Sequence, residues 1–264
     1  MNQSDDWEKF WGERSDKASS DYDFDHGSVL RGEIEELSEK ELLEFIDPRP
    51  SEVVFDAGCG TGGNILLLGS KVREIVGMDF SEGAIERCER RIASNQIGNA
   101  KLMRGSVTSI PLSDHSIDKV LCLSLLQYLD DSGARQALTE FKRILREGGI
   151  LILHVKNLSS LYLSTLWAAK KVMLLLGRQT KLEYYRPFSW YVKTAKAFGF
   201  EIVDYNSFSL FMLDGMPKRL LFLLQKFELQ NYSNFFFRLG FLRRHGAELK
   251  IKARLSGDEG KACL

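Results

Sequence analysis

Residues 53–64 read VVFDAGCGTGGN, an apolar run that ends in a loop with four glycines in six positions. Glycines at the turn from a strand into a helix let the backbone pack closely against a ligand. Three of them, Gly58, Gly60 and Gly63, satisfy the G-x-G-x-x-G pattern of dinucleotide sites. Because this pattern also occurs in other roles, the loop predicts a ligand site and leaves the ligand open.

Two acidic residues near the loop narrow the choice of ligand. Asp56 lies just before the first glycine, where a nicotinamide site presents its pyrophosphate. A carboxylate there repels a diphosphate and attracts a ligand that carries an ammonium group. Asp79 ends the next predicted strand, where an acid binds the ribose hydroxyls of either kind of ligand. Asp56 therefore disfavours a nicotinamide dehydrogenase.

Strand and helix patterns alternate after residue 52. Apolar runs predict strands at 53–56, 74–79, 101–105, 117–123 and 150–155. Such alternation predicts an α/β fold whose parallel sheet is covered on both faces. The ligand crevice of this fold lies at the carboxyl ends of the strands.

The helices between these strands carry recognisable ends and faces. Ser81 is predicted to cap one helix, and Gly148 and Gly149 are predicted to end another. In the helix after Ser81, the predicted buried face holds Ile85, Cys88 and Ile92, and the predicted outer face holds Arg87, Arg90 and Arg91.

The pattern is less regular after the fifth strand. An apolar helical stretch covers 158–177, a further helix runs through Phe198, and strands are predicted at 200–208 and 247–255. The strand at 200–208 is expected to run parallel to the fifth strand, so the segments 158–187 and 209–246 both begin at the ligand side of the sheet. We expect these two segments to form a helical roof over the site.

The remaining segments complete one predicted domain over residues 1–264. Residues 1–47 are predicted to form an N-terminal cap, 50–157 the cofactor-binding core and 256–264 a flexible tail. The acidic N-terminus indicates no signal peptide, and no run approaches the roughly 20 apolar residues of a membrane span. A cytoplasmic protein is expected.

Charge and cysteine content exclude other classes of site. Lys and Arg number 36, as do Asp and Glu, so no net charge attracts nucleic acid. The cysteines share no metal-ligand spacing, which predicts buried free thiols and no metal site; they are Cys59, Cys88, Cys122 and Cys263.

Four motifs follow in order: D-x-G-x-G-x-G at 56–62, GMDFS at 77–81, GSVTSIPL at 105–112 and FKRILREGGILIL at 141–153. With them, residues 50–157 resemble the class I S-adenosylmethionine-dependent methyltransferases, of the type-11-like group that includes quinone-biosynthetic enzymes. The resemblance implies a Rossmann-like, mostly parallel sheet with an antiparallel last strand, and S-adenosyl-L-methionine as cofactor.

The resemblance also implies roles for single residues. Asp56 and the glycine loop would hold the methionine end of the cofactor, Asp79 would bind the ribose, and Phe80 would lie against the adenine or belong to the core. The family usually has Asp where Ser106 stands, so the bond to the adenine amino group loses its charge assistance here. The implied cofactor-binding set is Asp56, Gly58, Cys59, Gly60, Asn64, Asp79, Phe80, Ser106, Val107 and Leu123.

Candidate catalytic residues are few. His154 lies near the carboxyl end of the fifth strand and is either a general base or a satisfied core histidine. Tyr128 follows the fourth strand, where related enzymes often have His, and either borders the acceptor or packs. His26 lies in the N-terminal segment that is expected to close over the site.

The acceptor depends on the predicted roof, which is rich in apolar and aromatic residues. This content favours a small apolar or amphiphilic acceptor, such as a quinone precursor, a natural product or a lipid-linked sugar, with O-methylation favoured. Lysines and arginines among the apolar residues suggest peripheral contact with anionic lipid; core packing or a dimer face explains the pattern equally well. An RNA or protein methyltransferase and a non-catalytic cofactor-binding protein remain alternatives.

Overall fold

One sheet of seven strands, in the order β3-β2-β1-β4-β5-β7-β6, organises the part of the chain that the structure describes. That part of the computed structural model comprises residues 10–11, 33–177, 183–208 and 244–257. The strands are β1 (Val53–Ala57), β2 (Glu74–Asp79), β3 (Ala100–Arg104), β4 (Ile117–Leu123), β5 (Leu145–Lys156), β6 (Phe200–Phe208) and β7 (Glu248–Leu255). The helices are α1 (Glu33–Ile46), α2 (Gly63–Leu68), α3 (Glu82–Ser94), α4 (Asp131–Ile144), α5 (Leu161–Leu175) and α6 (Phe188–Ala197).

The strand directions confirm the predicted fold. Strands β1 to β5 pair in parallel, and β7 lies antiparallel to both β5 and β6. Since β6 and β5 both oppose β7, they run in the same direction, as the sequence predicts. The segment that contains α5 and the segment that follows β6 therefore both begin at the carboxyl edge of β1–β5, but residues 209–243 lie outside the described ranges.

Alternating side chains of the central strands pack into two apolar layers, one on each face of the sheet. On one face, Leu151 and Leu153 of β5 pack with Phe141 of α4. On the other, Ile152 packs with the layer that holds Cys88 of α3. Three thiols are free and buried, as predicted, and the fourth, Cys263, lies outside the described residues; the three are Cys59, Cys88 and Cys122.

Local signals at the helix ends are confirmed in one case and wrong in another. Ser81 caps α3, because its Oγ accepts a hydrogen bond from the amide of Ala84 at 3.3 Å. Helix α4, however, ends at Ile144, and Leu145 already pairs with Ile117 in the sheet.

Gly148 and Gly149 lie inside β5 instead of ending the preceding helix. Gly148 has a φ of 71°, and a Cβ on Gly149 would lie 2.8 Å from the carbonyl oxygen of Arg146. The two glycines therefore allow an irregular turn within the strand, where the pairing of β4 with β5 shifts register. β3 begins and ends one residue earlier than predicted.

Hydrogen bonds and an ion pair of charged residues join the amino-terminal ends of β1, β4 and β5. Asp118 Oδ2 accepts from the Val53 amide at 2.7 Å, and its Oδ1 pairs with Arg146. Asp118 of β4 therefore ties the start of β1 to β5. Among the described helices, none is long and apolar enough to cross a membrane.

Candidate functional site

The glycine loop joins β1 to α2 at the carboxyl edge of the sheet. Gly58, Gly60 and Gly62 have φ values of 74°, 53° and 87°, in the left-handed region that favours glycine. A Cβ on Gly62 would overlap Cys88 Sγ, whereas a Cβ on Gly63 would meet nothing within 4 Å. The backbone therefore requires the glycines of the D-x-G-x-G-x-G motif, and Gly63 does not have the close-packing role of the third dinucleotide-site glycine.

Asp56 lies in the centre of the sheet, beneath this loop. It pairs with Gly77 of β2 and Leu121 of β4 and is fully buried. Both of its carboxylate oxygens lie 3.2 Å from Asn64 Nδ2, at the start of α2. A buried carboxylate is stabilised by donors and positive charge. This position suits a ligand that brings an ammonium group.

Asp79 connects the end of β2 to the glycine loop. Its Oδ2 accepts from the Gly60 amide at 3.1 Å, and its Oδ1 accepts from the Ser81 amide at 2.9 Å. These bonds hold the carboxylate at the carboxyl edge, where ribose hydroxyls bind in this class of fold. Phe80, next in sequence, is half-buried.

The segment after β3 carries the predicted adenine edge. Ser106 is exposed, with its Oγ 2.8 Å from Thr108 Oγ1, and Val107 is buried. The segment is anchored further along, where Arg143 of α4 donates to the carbonyl oxygens of Ile110 and Leu112, both at 2.7 Å.

Glu140 completes this anchor. Its Oε2 accepts from the Ile110 amide at 2.7 Å and from Arg143 Nη2 at 2.8 Å. The hydrogen bond from Arg143 lowers the pKa of Glu140 below its ordinary value. A charged pair of α4 therefore sets the position of the segment that carries Ser106.

The carboxyl end of β4 lies directly against the loop. A Cβ placed on Gly58 would be 3.2 Å from Leu125 Cδ1, so this leucine closes over the glycine. The ring of Tyr128 packs edge-on against Trp11, with the ring centroids 5.5 Å apart. One residue of the predicted N-terminal cap thus lies beside the end of β4.

His154, the candidate base in β5, joins two partners that sequence reasoning missed. Its Nδ1 lies 3.3 Å from Ser124 Oγ, and its Nε2 lies 3.2 Å from Glu248 Oε2. Glu248 is 94 residues away in the chain, and only the pairing of β7 with β5 brings it close. No short-range pattern signals this contact. His26 lies outside the described residues.

Two further residues were missed or misplaced. Arg91, predicted to face outward, donates to the carbonyl oxygen of Thr61 at 3.0 Å and to its Oγ1 at 2.8 Å, so it holds the glycine loop from α3. The long arginine side chain reaches back along the helix surface, which the helical pattern alone does not reveal. Gln127, after β4, is buried, and its Oε1 has no hydrogen-bond partner among the residues that the structure describes.

The match to a family model coincides with this crevice. Residues 54–149 match the model described as a methyltransferase domain. The matched stretch runs from β1 into β5 and includes Asp56, the glycine loop, Asp79 and Ser106. The match is to a methyltransferase domain, and it agrees with the resemblance of residues 50–157 to the class I S-adenosylmethionine-dependent methyltransferases.

The chain is also similar in sequence to a named methyltransferase and to an uncharacterised protein. Demethylmenaquinone methyltransferase of Bacillus cytotoxicus is 25% identical over 189 residues, which cover 69% of this chain and 78% of that protein. An uncharacterised protein encoded in a transposon of Streptomyces fradiae is 32% identical over 123 residues, covering 46% of this chain and 34% of the relative. This chain thus spans about a third of the length of the Streptomyces protein.

A solved structure shares the fold. Phosphoethanolamine N-methyltransferase 1 of Haemonchus contortus, in complex with phosphoethanolamine and S-adenosylhomocysteine, aligns with a TM-score of 0.65 at 18% identity. The alignment covers 100% of this chain and 52% of that one. The likeness to this structure shows the fold, whereas the contacts of single residues with the cofactor stay predictions.

Proposed function

We propose that this protein transfers a methyl group from S-adenosylmethionine to a hydroxyl oxygen of a small apolar or amphiphilic acceptor. The observation that carries the proposal is the pair of carboxylates, Asp56 and Asp79, on either side of a loop of positive-φ glycines. Asp56 is fully buried and bonded to Asn64, and Asp79 is held by the Gly60 and Ser81 amides.

These residues fit the cofactor. Asp56, Asn64 and the loop amides would hold its amino-acid part, and Asp79 would hold its ribose. Phe80, Ser106 and Val107 would border the adenine, and Leu123 would lie beside the sulfonium. The cofactor, when bound, supplies a methyl group on a sulfonium, an already good leaving group, so the protein contributes alignment and exclusion of water.

The acceptor class rests on the apolar segment after β5. Leu161 and Leu175 of α5 are 80% and 87% exposed, and Leu176, directly after the helix, is 73% exposed. Helix α5 begins at the carboxyl edge of the sheet. The similarity to a demethylmenaquinone methyltransferase supports a quinone precursor as one member of this class. A natural product or a lipid-linked sugar shares the required chemistry.

We further propose that this side of α5 rests on a membrane surface that supplies the acceptor. Lys171 lies over the ring of Trp167 at 3.7 Å, a pairing suited to the interface between lipid and water, while Lys170 is engaged by Glu183 at 2.8 Å. Flotation with anionic and neutral liposomes tests this contact. The absence of binding in both would leave a dimer face or intramolecular packing as the role of α5.

Calorimetry with S-adenosylmethionine and with NAD tests the cofactor, and a screen of acceptor classes with labelled methyl donor tests the reaction. We expect binding of the first ligand alone and transfer to an apolar hydroxyl compound. Transfer to RNA or to protein would favour those alternatives, and binding without any turnover would favour a non-catalytic protein.

A further inference from the structure

Ser124, His154 and Glu248 lie in a row at the carboxyl edge of the sheet. Ser124 follows β4, His154 pairs with Leu123 in the adjacent β5, and Glu248 begins β7 on the far side of β5. The two contacts, Oγ to Nδ1 at 3.3 Å and Nε2 to Oε2 at 3.2 Å, use both ring nitrogens of the histidine. Three neighbouring strands thus bring a hydroxyl, an imidazole and a carboxylate together.

The charge on Glu248 fixes the direction of these hydrogen bonds. Burial alone would raise its pKa, but the Lys156 ammonium, 2.6 Å from Oε1, and the hydrogen bond from His154 outweigh burial and hold the pKa of Glu248 well below its ordinary value. An ionised carboxylate only accepts, so Nε2 of His154 must donate. In the neutral ring Nδ1 is then the acceptor, and the Ser124 hydroxyl donates to it.

The backbone of Ser124 also sets it apart. Its φ is 60°, a left-handed conformation that is unfavourable for a residue with a side chain and that often occurs at functional sites. Its amide donates to the His154 carbonyl oxygen at 2.8 Å, which ties the strained residue to β5. Leu125, next in sequence, lies against Gly58. Ser124 is therefore the neighbour in sequence of the residue that packs against the glycine loop.

We propose that Ser124, His154 and Glu248 form a proton relay that deprotonates the acceptor, and that the acceptor is consequently a phenol or hydroquinone. This inference deepens the proposed function and rests on it. A hydroxyl oxygen is a weak nucleophile until it loses its proton, so O-methylation gains from a base, whereas an amine acceptor needs none.

The proton can be followed through the relay. The acceptor oxygen would form its bond to the methyl carbon as the carbon–sulfur bond breaks and the sulfur leaves as a neutral thioether. At the same time the O–H bond of the acceptor breaks and the proton passes to Ser124 Oγ. The proton of Ser124 passes to His154 Nδ1, and the resulting imidazolium is stabilised by the Glu248 carboxylate until it releases a proton to water. Ser124 is the catalytic residue that contacts the acceptor, and Glu248 is a positioning residue that acts through His154.

The test uses the full chain, labelled S-adenosylmethionine and substituted phenols graded in acidity. Ser124→Gly removes the hydroxyl while accepting the positive φ, and His154→Gln and Glu248→Gln remove the base and its orienting charge. The matched control is His115→Gln, because the His115 ring also makes a hydrogen bond through Nδ1, to Leu145 O at 2.9 Å, but at the opposite edge of the sheet. Affinity for S-adenosylhomocysteine and circular dichroism establish that each variant folds.

The relay predicts a loss that depends on the acceptor. For phenols as weakly acidic as tyrosine, kcat in Ser124→Gly and His154→Gln falls roughly 100-fold, the scale of general base catalysis. For phenols already ionised at the assay pH, kcat changes less than about three-fold, since no proton has to leave. In Glu248→Gln kcat falls with KM unchanged, and His115→Gln behaves as wild type.

Three outcomes would contradict the relay. An equal loss across the phenol series would assign these residues a structural role. Wild type that binds S-adenosylmethionine but methylates no phenol would overturn the acceptor class and leave the methyltransferase proposal standing. Wild type without affinity for the cofactor would overturn the proposed function itself. If His154→Gln does not fold, the Ser124→Gly series decides alone.

Discussion

The amide of Gly60 donates to Asp79 Oδ2 at 3.1 Å, so the loop that follows β1 is fastened to the last residue of β2. The other oxygen, Oδ1, is fastened to the Ser81 amide at the start of α3. One carboxylate therefore orders the glycine loop and is held where a ribose is expected. This double use means that a change at Asp79 affects both the loop and the ligand.

Replacing Asp79 by Asn is expected to weaken S-adenosylmethionine binding by about ten-fold or more. A hydrogen bond to a charged group contributes about 1.5–3 kcal/mol, and 1.4 kcal/mol corresponds to ten-fold in affinity. Calorimetry measures the change. Asp114→Asn is the control. Asp114 lies in the segment between β3 and β4, and its exposed side chain pairs with Arg143. Equal affinities of wild type and Asp79→Asn would remove Asp79 from the site.

Replacement by alanine should destabilise the protein clearly at Gly62 and little at its neighbour Gly63. Gly62→Ala places a Cβ at φ 87° and against Cys88 Sγ, so overpacking alone is expected to cost about 1–3 kcal/mol of unfolding free energy. Gly63→Ala meets nothing within 4 Å and is expected to change stability by less than about 1 kcal/mol. Urea denaturation measures both.

A second substitution separates the two costs at Gly62. Adding Cys88→Ala removes the overlapping sulfur. The double variant should therefore regain the unfolding free energy lost to overpacking, but not the part lost to the positive φ. A Gly62→Ala variant as stable as Gly63→Ala would show that the loop does not have this geometry in solution.

Ser106→Asp is expected to strengthen cofactor binding. The adenine amino group would then donate to a carboxylate instead of a hydroxyl, a difference of about 1 kcal/mol or roughly five-fold in affinity. Ser113→Asp adds the same charge at another exposed serine of the segment and should leave the affinity unchanged. An equal gain in both variants would reflect the added charge alone.

Glu140 is expected to contribute stability that depends on pH. The hydrogen bond from Arg143 lowers its folded pKa below the unfolded value of about 4.3, so the contribution is fully present above that value and is lost as the pH falls through the lowered pKa. At pH 7 Glu140→Gln should lower the unfolding free energy by about 1.5–3 kcal/mol.

The difference in unfolding free energy between wild type and Glu140→Gln should therefore shrink as the pH falls from 5 to the unfolded-state pKa of Glu140, about 4.3, and below it. Denaturation at several pH values measures it, with the exposed Glu86→Gln as control. A difference that stays constant over this range would show that the Glu140 carboxylate is not held in its ionised form.

The parallel core of this fold is predictable because local signals agree with its geometry. Strands β2 and β4 have the predicted bounds, since each contains an apolar run buried on both faces, at 75–78 in β2 and 120–122 in β4. The end of α4 was predicted wrongly, because two glycines normally signal a helix stop and here permit a turn within β5.

The cofactor crevice was more predictable than the acceptor side. Asp56 and Asp79 lie within short motifs at strand ends, so their neighbourhood follows from the chain direction. The partners of His154 depend on β7, which inserts between β5 and β6 from the far end of the sequence. Contacts made by such a late antiparallel strand leave no periodic signal, which is why Glu248 was missed.

The central claim is that the Asp56 carboxylate selects a ligand with an ammonium group. Calorimetry with S-adenosylhomocysteine and with 5′-methylthioadenosine, which lacks the amino-acid part, tests it in wild type and Asp56→Asn. We predict that the substitution weakens S-adenosylhomocysteine binding at least about ten-fold, the scale of one lost charged contact, and leaves 5′-methylthioadenosine unaffected. An equal loss of affinity for both ligands in Asp56→Asn would contradict the claim. So would a wild-type protein that binds NAD and does not bind S-adenosylhomocysteine.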